Sequence, residues 1–244
     1  MTFDERIKKL NTYESKQALV GRVFDFEVDL DRQEIIITKY YDAPDRTEVV
    51  IPKFVDKLDE YILYEAKYIK KIIMGDNVKE AKAMFFIFKG RELDLTDFNT
   101  TSITSMRSMF ALCKAEVIHI GSKFDTSNVT DMDYMFQGCR AKEINLGDKF
   151  NTSNVTNMNY MFEGCRAKEI NLGDKFDTSN VETMACMFSE CKARVINLGD
   201  KFNTPKVKEI KGMFEGCKAE TIILGSKRVI AEKATRLIES NTRV

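Results

Sequence analysis

The side chains in this chain with the most chemistry to offer are six cysteines and a single histidine, His119. Nucleophilic catalysis by a thiol or a hydroxyl needs a base within hydrogen-bond reach, and His119 would have to be that base. Cys113 lies six residues before it, yet no nucleophile elbow, phosphate-binding loop or dinucleotide fingerprint accompanies the pair. The expectation is a protein that is not an enzyme. Five of the cysteines, Cys113, Cys139, Cys165, Cys191 and Cys217, stand at equal steps of 26 residues. Structural zinc wants close Cys-x-x-Cys or Cys/His pairs converging on one point, whereas this spacing spreads thiols along an axis. They are expected to be reduced, buried and small-hydrophobic in character, with partial disulfides or metal as the lesser alternative. Asp148, Asp174 and Asp200 form an acidic column, but the glycine-rich nonapeptide that builds calcium sites in repeats is missing. No metal and no cofactor is expected.

What positions the cysteine column is a repeat. Met-Phe recurs at Met109, Met135, Met161, Met187 and Met213, four residues before each cysteine. Self-similarity at this period marks a solenoid, whose coils bury their apolar faces only against one another. In the copy from Phe124 to Lys149, Asn128 reads as an N-cap, and Val129, Met132, Met135 and Phe136 share one face of a short helical turn that Gly138 ends. Ile144-Asn145-Leu146 then alternates as a strand, Ile144 and Leu146 inward and Glu143 and Asn145 outward. Aligning strand ends at Ile51, Met74, Leu95, Ile120, Leu146, Leu172, Leu198 and Leu224 gives steps of 23, 21, 25, 26, 26, 26 and 26 residues. The array thus begins before its regular copies. Ahead of it, residues 1 to about 21 read as a polar helix, and Val23–Leu30 and Ile35–Tyr40 as a hairpin. Val229 to Ser240 reads as an amphipathic helix. The expected division is an N-terminal helix and hairpin cap over 1–45, a solenoid over 46–228 that is divergent to about 97, and a C-terminal capping helix over 229–244.

Composition agrees with a globular array. Hydrophobic residues make up 43% of 244, enough for a sizeable core. Lys plus Arg and Asp plus Glu are 38 each, so no global field draws the chain to nucleic acid or anionic lipid. The longest apolar run, Ala83 to Phe88, is far short of the roughly 20 residues of a membrane helix. The start Met1-Thr2-Phe3-Asp4-Glu5 lacks the pattern of a signal peptide. A cytoplasmic location is therefore expected, with the cell surface or secretion as the alternative if a leader was removed.

The run Phe-Asp-Thr-Ser-Asn-Val-Thr-Asp-Met-x-Tyr-Met-Phe-x-Gly-Cys from Phe124 to Cys139 resembles the repeat of the BspA-like leucine-rich-repeat family of bacterial and protist proteins. Val49-Val50-Ile51-Pro52-Lys53-Phe54-Val55 is similar to the other repeat type of that family, and the resemblance covers roughly residues 22 to 228. It implies an α/β, leucine-rich-repeat-like solenoid with a parallel sheet on one side and short helical turns on the other. It also implies protein binding and, in many members, adhesion to host proteins or neighbouring cells.

Most columns then read as architecture. The methionines fill the core, and Asn128, Asn154 and Asn180 with Thr126, Thr152 and Thr178 form a hydrogen-bond ladder. The candidate partner-binding positions are the outward strand residues: Val117 and His119, Glu143 and Asn145, Glu169 and Asn171, Val195 and Asn197, Thr221 and Ile223, with Ile73 and Asp94 in the early coils. Lys123, Lys149, Lys175, Lys201 and Lys227 line the turn after the strand as a solvated edge. The leading expectation is a protein-interaction module, an intracellular scaffold or inhibitor, with a protein partner and no small-molecule substrate. A surface adhesin is the alternative, and nucleic-acid binding through the lysine column the third.

Overall fold

The chain is described by a computed structural model that covers residues 1–241 apart from Gly75, Gly147, Asp148 and Asp174; the side chains of Leu19, Val20, Asn145, Glu239, Ser240 and Asn241 are also outside it. The acidic column expected at Asp148 and Asp174 falls outside the described residues.

Helix α1 (Phe3–Val20) opens with a capping box: the Glu5 amide donates to Thr2 Oγ1 and the Thr2 amide to Glu5 Oε2, which satisfies two donors a helix start leaves free. Buried Gln17 ties the helix to the next element, accepting from the amides of Val23 and Phe24 at 2.6 and 2.7 Å. Strands β1 (Phe24–Asp29) and β2 (Glu34–Tyr40) form an antiparallel hairpin with an irregularity between Asp25 and Phe26. Strand β3 (Glu48–Val50) starts the solenoid sheet, and the short β4 (Lys57–Leu58) pairs parallel with β2, joining the hairpin to the coils.

The remaining coils each contribute one short strand: β5 (Lys71–Ile73), β6 (Glu92–Leu95), β7 (Val117–Ile120), β8 (Glu143–Asn145), β9 (Glu169–Asn171), β10 (Val195–Asn197) and β11 (Thr221–Leu224). They hydrogen-bond as two sheets, β3-β5-β6-β7 and β8-β9-β10-β11, the latter closed by β12 (Lys227–Val229) running antiparallel to β11. The Lys142 amide bonding to the Glu116 carbonyl at 2.9 Å carries the stacking across the boundary between them. Helix α2 (Ala231–Asn241) follows. Parallel strands stacked coil on coil make this a solenoid of the leucine-rich-repeat-like class. Strand β12 lies past the last repeat, where periodicity gives no sign of it.

The opposite side differs in detail from a helical turn. Tyr134 and Gly138 sit at φ of 58° and 60°, left-handed values that interrupt an α-helix. Around them the amides alternate. Met135, Gln137 and Cys139 bond three residues back, to Met132, Tyr134 and Phe136, while Tyr134, Phe136 and Gly138 bond forward to the next coil at Asn159, Met161 and Glu163. The side expected as short helices is thus a stack of β-turns zipped between coils. Asn128 accordingly caps no helix: its Nδ2 donates to Thr101 O at 2.7 Å, as Asn154 does to Ser127 and Asn180 to Ser153. Thr126 and Thr152 donate to the carbonyls of Asn151 and Asp177, both at 2.8 Å, and Thr178 to that of Asn203.

A ladder of rings forms the spine of the core. Phe85, Phe110, Phe136, Phe162, Phe188 and Phe214 stack in series with centroids 5.1 to 5.4 Å apart. The methionines of the coils and four of the five column cysteines are buried beside them, Cys217 half-buried at the end, and all six cysteines are free thiols.

Candidate functional site

Because Ile144, Leu146, Ile170, Leu172, Ile196 and Leu198 point into the core, the residues between them face out. Register gathers these into rows. Glu143, Glu169, Val195 and Thr221 are paired in sequence across β8 to β11, and Asn145, Asn171, Asn197 and Ile223 lie in the adjoining row. In the other sheet Val117 is paired with Glu92 and His119 with Asp94. Ile73 departs from the expected alignment. Lys71 pairs with Asp94, a step of 94 − 71 = 23 residues where Met74 to Leu95 had suggested 21, so Ile73 lies beyond the Asp94 row. A slip of two preserves the inward and outward pattern, which is why periodicity did not reveal it.

The side chains of these rows have different employment. Asn171 and Asn197 accept from the amides of Gly173 and Gly199 at 3.2 and 3.1 Å, and Asn197 Nδ2 donates to Asn171 Oδ1 at 3.3 Å. Asp94 likewise accepts from the Thr96 amide at 2.9 Å and hydroxyl at 2.6 Å, bonds that hold its carboxyl below the usual range, the Thr96 hydroxyl most. This row therefore ends strands as well as facing solvent. The Asn145 side chain lies outside the described residues. By contrast Glu143 and Glu169 are exposed, directly opposite one another, and have no ion-pair partner among the described residues. Val117 is 40% exposed, and Val195, Thr221, Ile223 and Ile73 are half-buried. His119 is exposed with its Nε2 3.2 Å from Glu92 Oε1, while Cys113 is buried in the core.

Of the turn lysines, Lys123 shares Asp97 with Lys71, at 2.9 and 2.8 Å; hydrogen bonds from Lys71 and then Lys123 hold that carboxyl down to about 2. Lys227 begins β12 and lines a cleft of about 720 Å³ between the last coil and α2, with Asp200, Phe202, Leu224 and Leu237. Among the described residues no group of His, Cys, Asp and Glu is arranged to hold a metal ion, and no helix is long and apolar enough to cross a membrane.

Two surface features lie outside the expected positions. One is a column of exposed cations, one per coil: Lys67, Lys89, Lys114, Arg140, Arg166, Lys192 and Lys218. The sequence carries its signal, a basic residue directly after each column cysteine. The other is an apolar patch on the turn side of the early coils, where Tyr61, Tyr64 and Leu112 are 48%, 50% and 42% exposed. Phe86 meets Tyr61 edge-on at 5.2 Å and Tyr64 stacked at 6.2 Å. Leu112 lies across Gly138, where an added Cβ would fall 2.6 Å from its Cδ2.

Comparison with known proteins adds a family and one structural likeness. The crystal structure of a T. pallidum leucine rich repeat protein (TpLRR) is similar at 16% identity and a TM-score of 0.31, over 82% of this chain and 67% of that one. No curated protein matches the chain. The family described as "Mycoplasma protein of unknown function, DUF285" matches over residues 55–147 and again over 113–224. Those two stretches run together through most of the coils, and the chain belongs to that family.

Proposed function

We propose that the solenoid is a non-enzymatic protein-interaction module that lays its outward strand face against a partner protein, as a scaffold or as an inhibitor occupying the partner's surface. The observation that carries this is the unspent chemistry of that face. Like charges directly opposite on adjacent strands are destabilising, yet Glu143 and Glu169 face each other with no ion-pair partner among the described residues, and exposed Val117 stands on the neighbouring sheet. Inward residues do the packing, so these positions are free to serve recognition. A partner with a cation between the two glutamates and apolar groups near Val117 and Val195 fits them.

A photo-crosslinking residue at Val117, Glu169 or Val195 in the cells that make the protein tests the reading. Adducts to a discrete protein are expected from all three, and Glu143→Lys should remove the adduct formed at Glu169 while changing stability by no more than about 0.5 kcal/mol. If none of the three sites gives an adduct that Glu143→Lys removes, the face is not the binding surface.

A further inference from the structure

The cation column lies at the corner between the turn stack and the sheet, and its members are in hydrogen-bonded register. The amide of Lys114 bonds to the Phe88 carbonyl at 2.8 Å, that of Arg140 to Cys113 at 3.0 Å and that of Arg166 to Cys139 at 2.9 Å. At about 4.8 Å per coil the column extends roughly 29 Å. Two residues on, Arg91, Lys142, Lys168 and Arg194 make a second exposed row. Elsewhere the coils dilute such charge with acids, as Glu182 does for Lys208 at 2.7 Å. Here they do so only in part. Glu65 pairs with Lys89, Glu190 with Lys192, Glu116 with Arg91 and Lys142, and Glu220 with Arg194. Lys114, Arg140, Arg166 and Lys168 have no ion-pair partner among the described residues. In a chain of zero net charge, that is a concentrated positive ridge.

The apolar patch adjoins it. Leu112 is two residues before Lys114 and Ile87 two before Lys89, with only buried Cys113 and Phe88 between. The mutual packing of Phe86, Tyr61 and Tyr64 holds the patch in place before anything binds, which lowers the ordering cost of association. We propose that ridge and patch together form a docking surface for an acidic segment of a partner protein, its carboxylates meeting Lys114, Arg140, Arg166 and Lys168 and an apolar side chain resting on Leu112, Ile87 and Tyr64. The inference rests on the reading of the solenoid as a protein-binding module but uses a different surface from the strand face. The flanking charges favour peptide over nucleic acid. Glu163, Glu190 and Glu215 stand on the turn side of the same coils, where a nucleic-acid strand, with a phosphate at every nucleotide, would meet them. A peptide can space its carboxylates to avoid them.

The test uses the full chain and three fluorescent probes: a peptide of about 20 residues repeating Glu-Glu-Leu, an all-Glu peptide of equal length, and an oligouridylate of equal length, titrated by anisotropy at about 50 and about 200 mM salt. The Glu-Glu-Leu peptide is expected to bind tightest and to lose at least about tenfold in affinity at the higher salt. Arg140→Glu with Arg166→Glu should weaken it by about tenfold or more, and Leu112→Ser should remove its advantage over all-Glu. Lys114→Gln with Lys168→Gln, a gentler change, should give a smaller loss of the same sign and serves if charge reversal disturbs folding. No peptide binding at low salt, unchanged affinity in both double variants, or oligouridylate binding as tightly as the peptide would each overturn the proposal. Val117→Ser and Val195→Ser, which change no charge, should leave peptide affinity unchanged. If they weaken it as much as the ridge variants do, the segment lies on the strand face and the ridge assignment fails while the strand-face reading stands.

Discussion

Asp133 is the residue at which the repeat carries an evident cost. It is 6% exposed, its Oδ1 has no hydrogen-bond partner among the described residues, and its Oδ2 is 3.5 Å from Arg107 Nη2. Burial raises its carboxyl from 3.8 to about 6; Arg107 pulls it down and Asp131 adds to the rise. A folded value above the unfolded one means the folded state binds the proton more readily. Asp133 is therefore harmless below about pH 4, and stability falls as pH rises through about 6. The full penalty is at most about 3 kcal/mol, and the Arg107 contact lies within the shift already. Asn159 occupies the same position one coil on, where its Oδ1 accepts from the Ala185 amide at 2.7 Å, so the site accepts an amide. Asp133→Asn is expected to stabilise the protein by about 1–2 kcal/mol at pH 7.5 and by close to nothing at pH 4. Urea melts at the two pH values check this, and an equal effect at both would mean that Asp133 is not the titrating group.

At the scale of elements, the coils depend on stacks more than on any single turn. Phe162 has a ring on each side, Phe136 and Phe188, both at 5.3 Å, whereas among the described residues Phe214 has Phe188 alone, at 5.4 Å, and is 6% exposed. Phe162→Ala should cost about 3–5 kcal/mol and Phe214→Ala distinctly less, measured by chemical denaturation; equal costs would show that the ring ladder contributes nothing beyond burial. How much of this was readable follows from what periodicity records. It fixes which residues go inward, so the strands, the methionine and phenylalanine interior and the outward rows could be placed from Met135, Cys139 and Ile144. Apolar residues at helical spacing do not distinguish a helical turn from a chain of β-turns, because both bury Val129, Met132, Met135 and Phe136 on one side. The left-handed Tyr134 decides between them, and nothing about a tyrosine announces it. The even slip at Ile73 is silent for a similar reason, and the basic residues that follow the column cysteines become a ridge only once the stacking of the coils places them side by side.

In the molecule as a whole, each coil bonds only to its neighbours, so stability is carried along one axis and its weak points are the ends. The two ends are closed unequally. At the start, Tyr13 packs edge-on against Phe26 and Phe54 at 5.7 and 5.8 Å, Gln17 anchors β1, and β4 stitches β2 to the coils. At the far end, α2 contributes buried Ala234 and Ile238, leaves Ile230 57% exposed, and stands off the last coil across the 720 Å³ cleft. Opening is expected to begin there. Ending the chain after Ile230 removes the burial of Ala234 and Ile238, worth about 1–3 kcal/mol together, and leaves β11 covered by β12. Hydrogen exchange reads the consequence directly. The amides of Lys218 and Glu220, bonded to Cys191 and Arg194 at 2.9 Å each, should exchange about tenfold faster or more in the shortened chain. Those of Arg140 and Lys142, bonded to Cys113 and Glu116, should keep their rates, because an opening at the end has to pass through two further coils to reach them. If the central amides accelerate in step with the terminal ones, the solenoid opens as one unit, and the ends do not govern its stability.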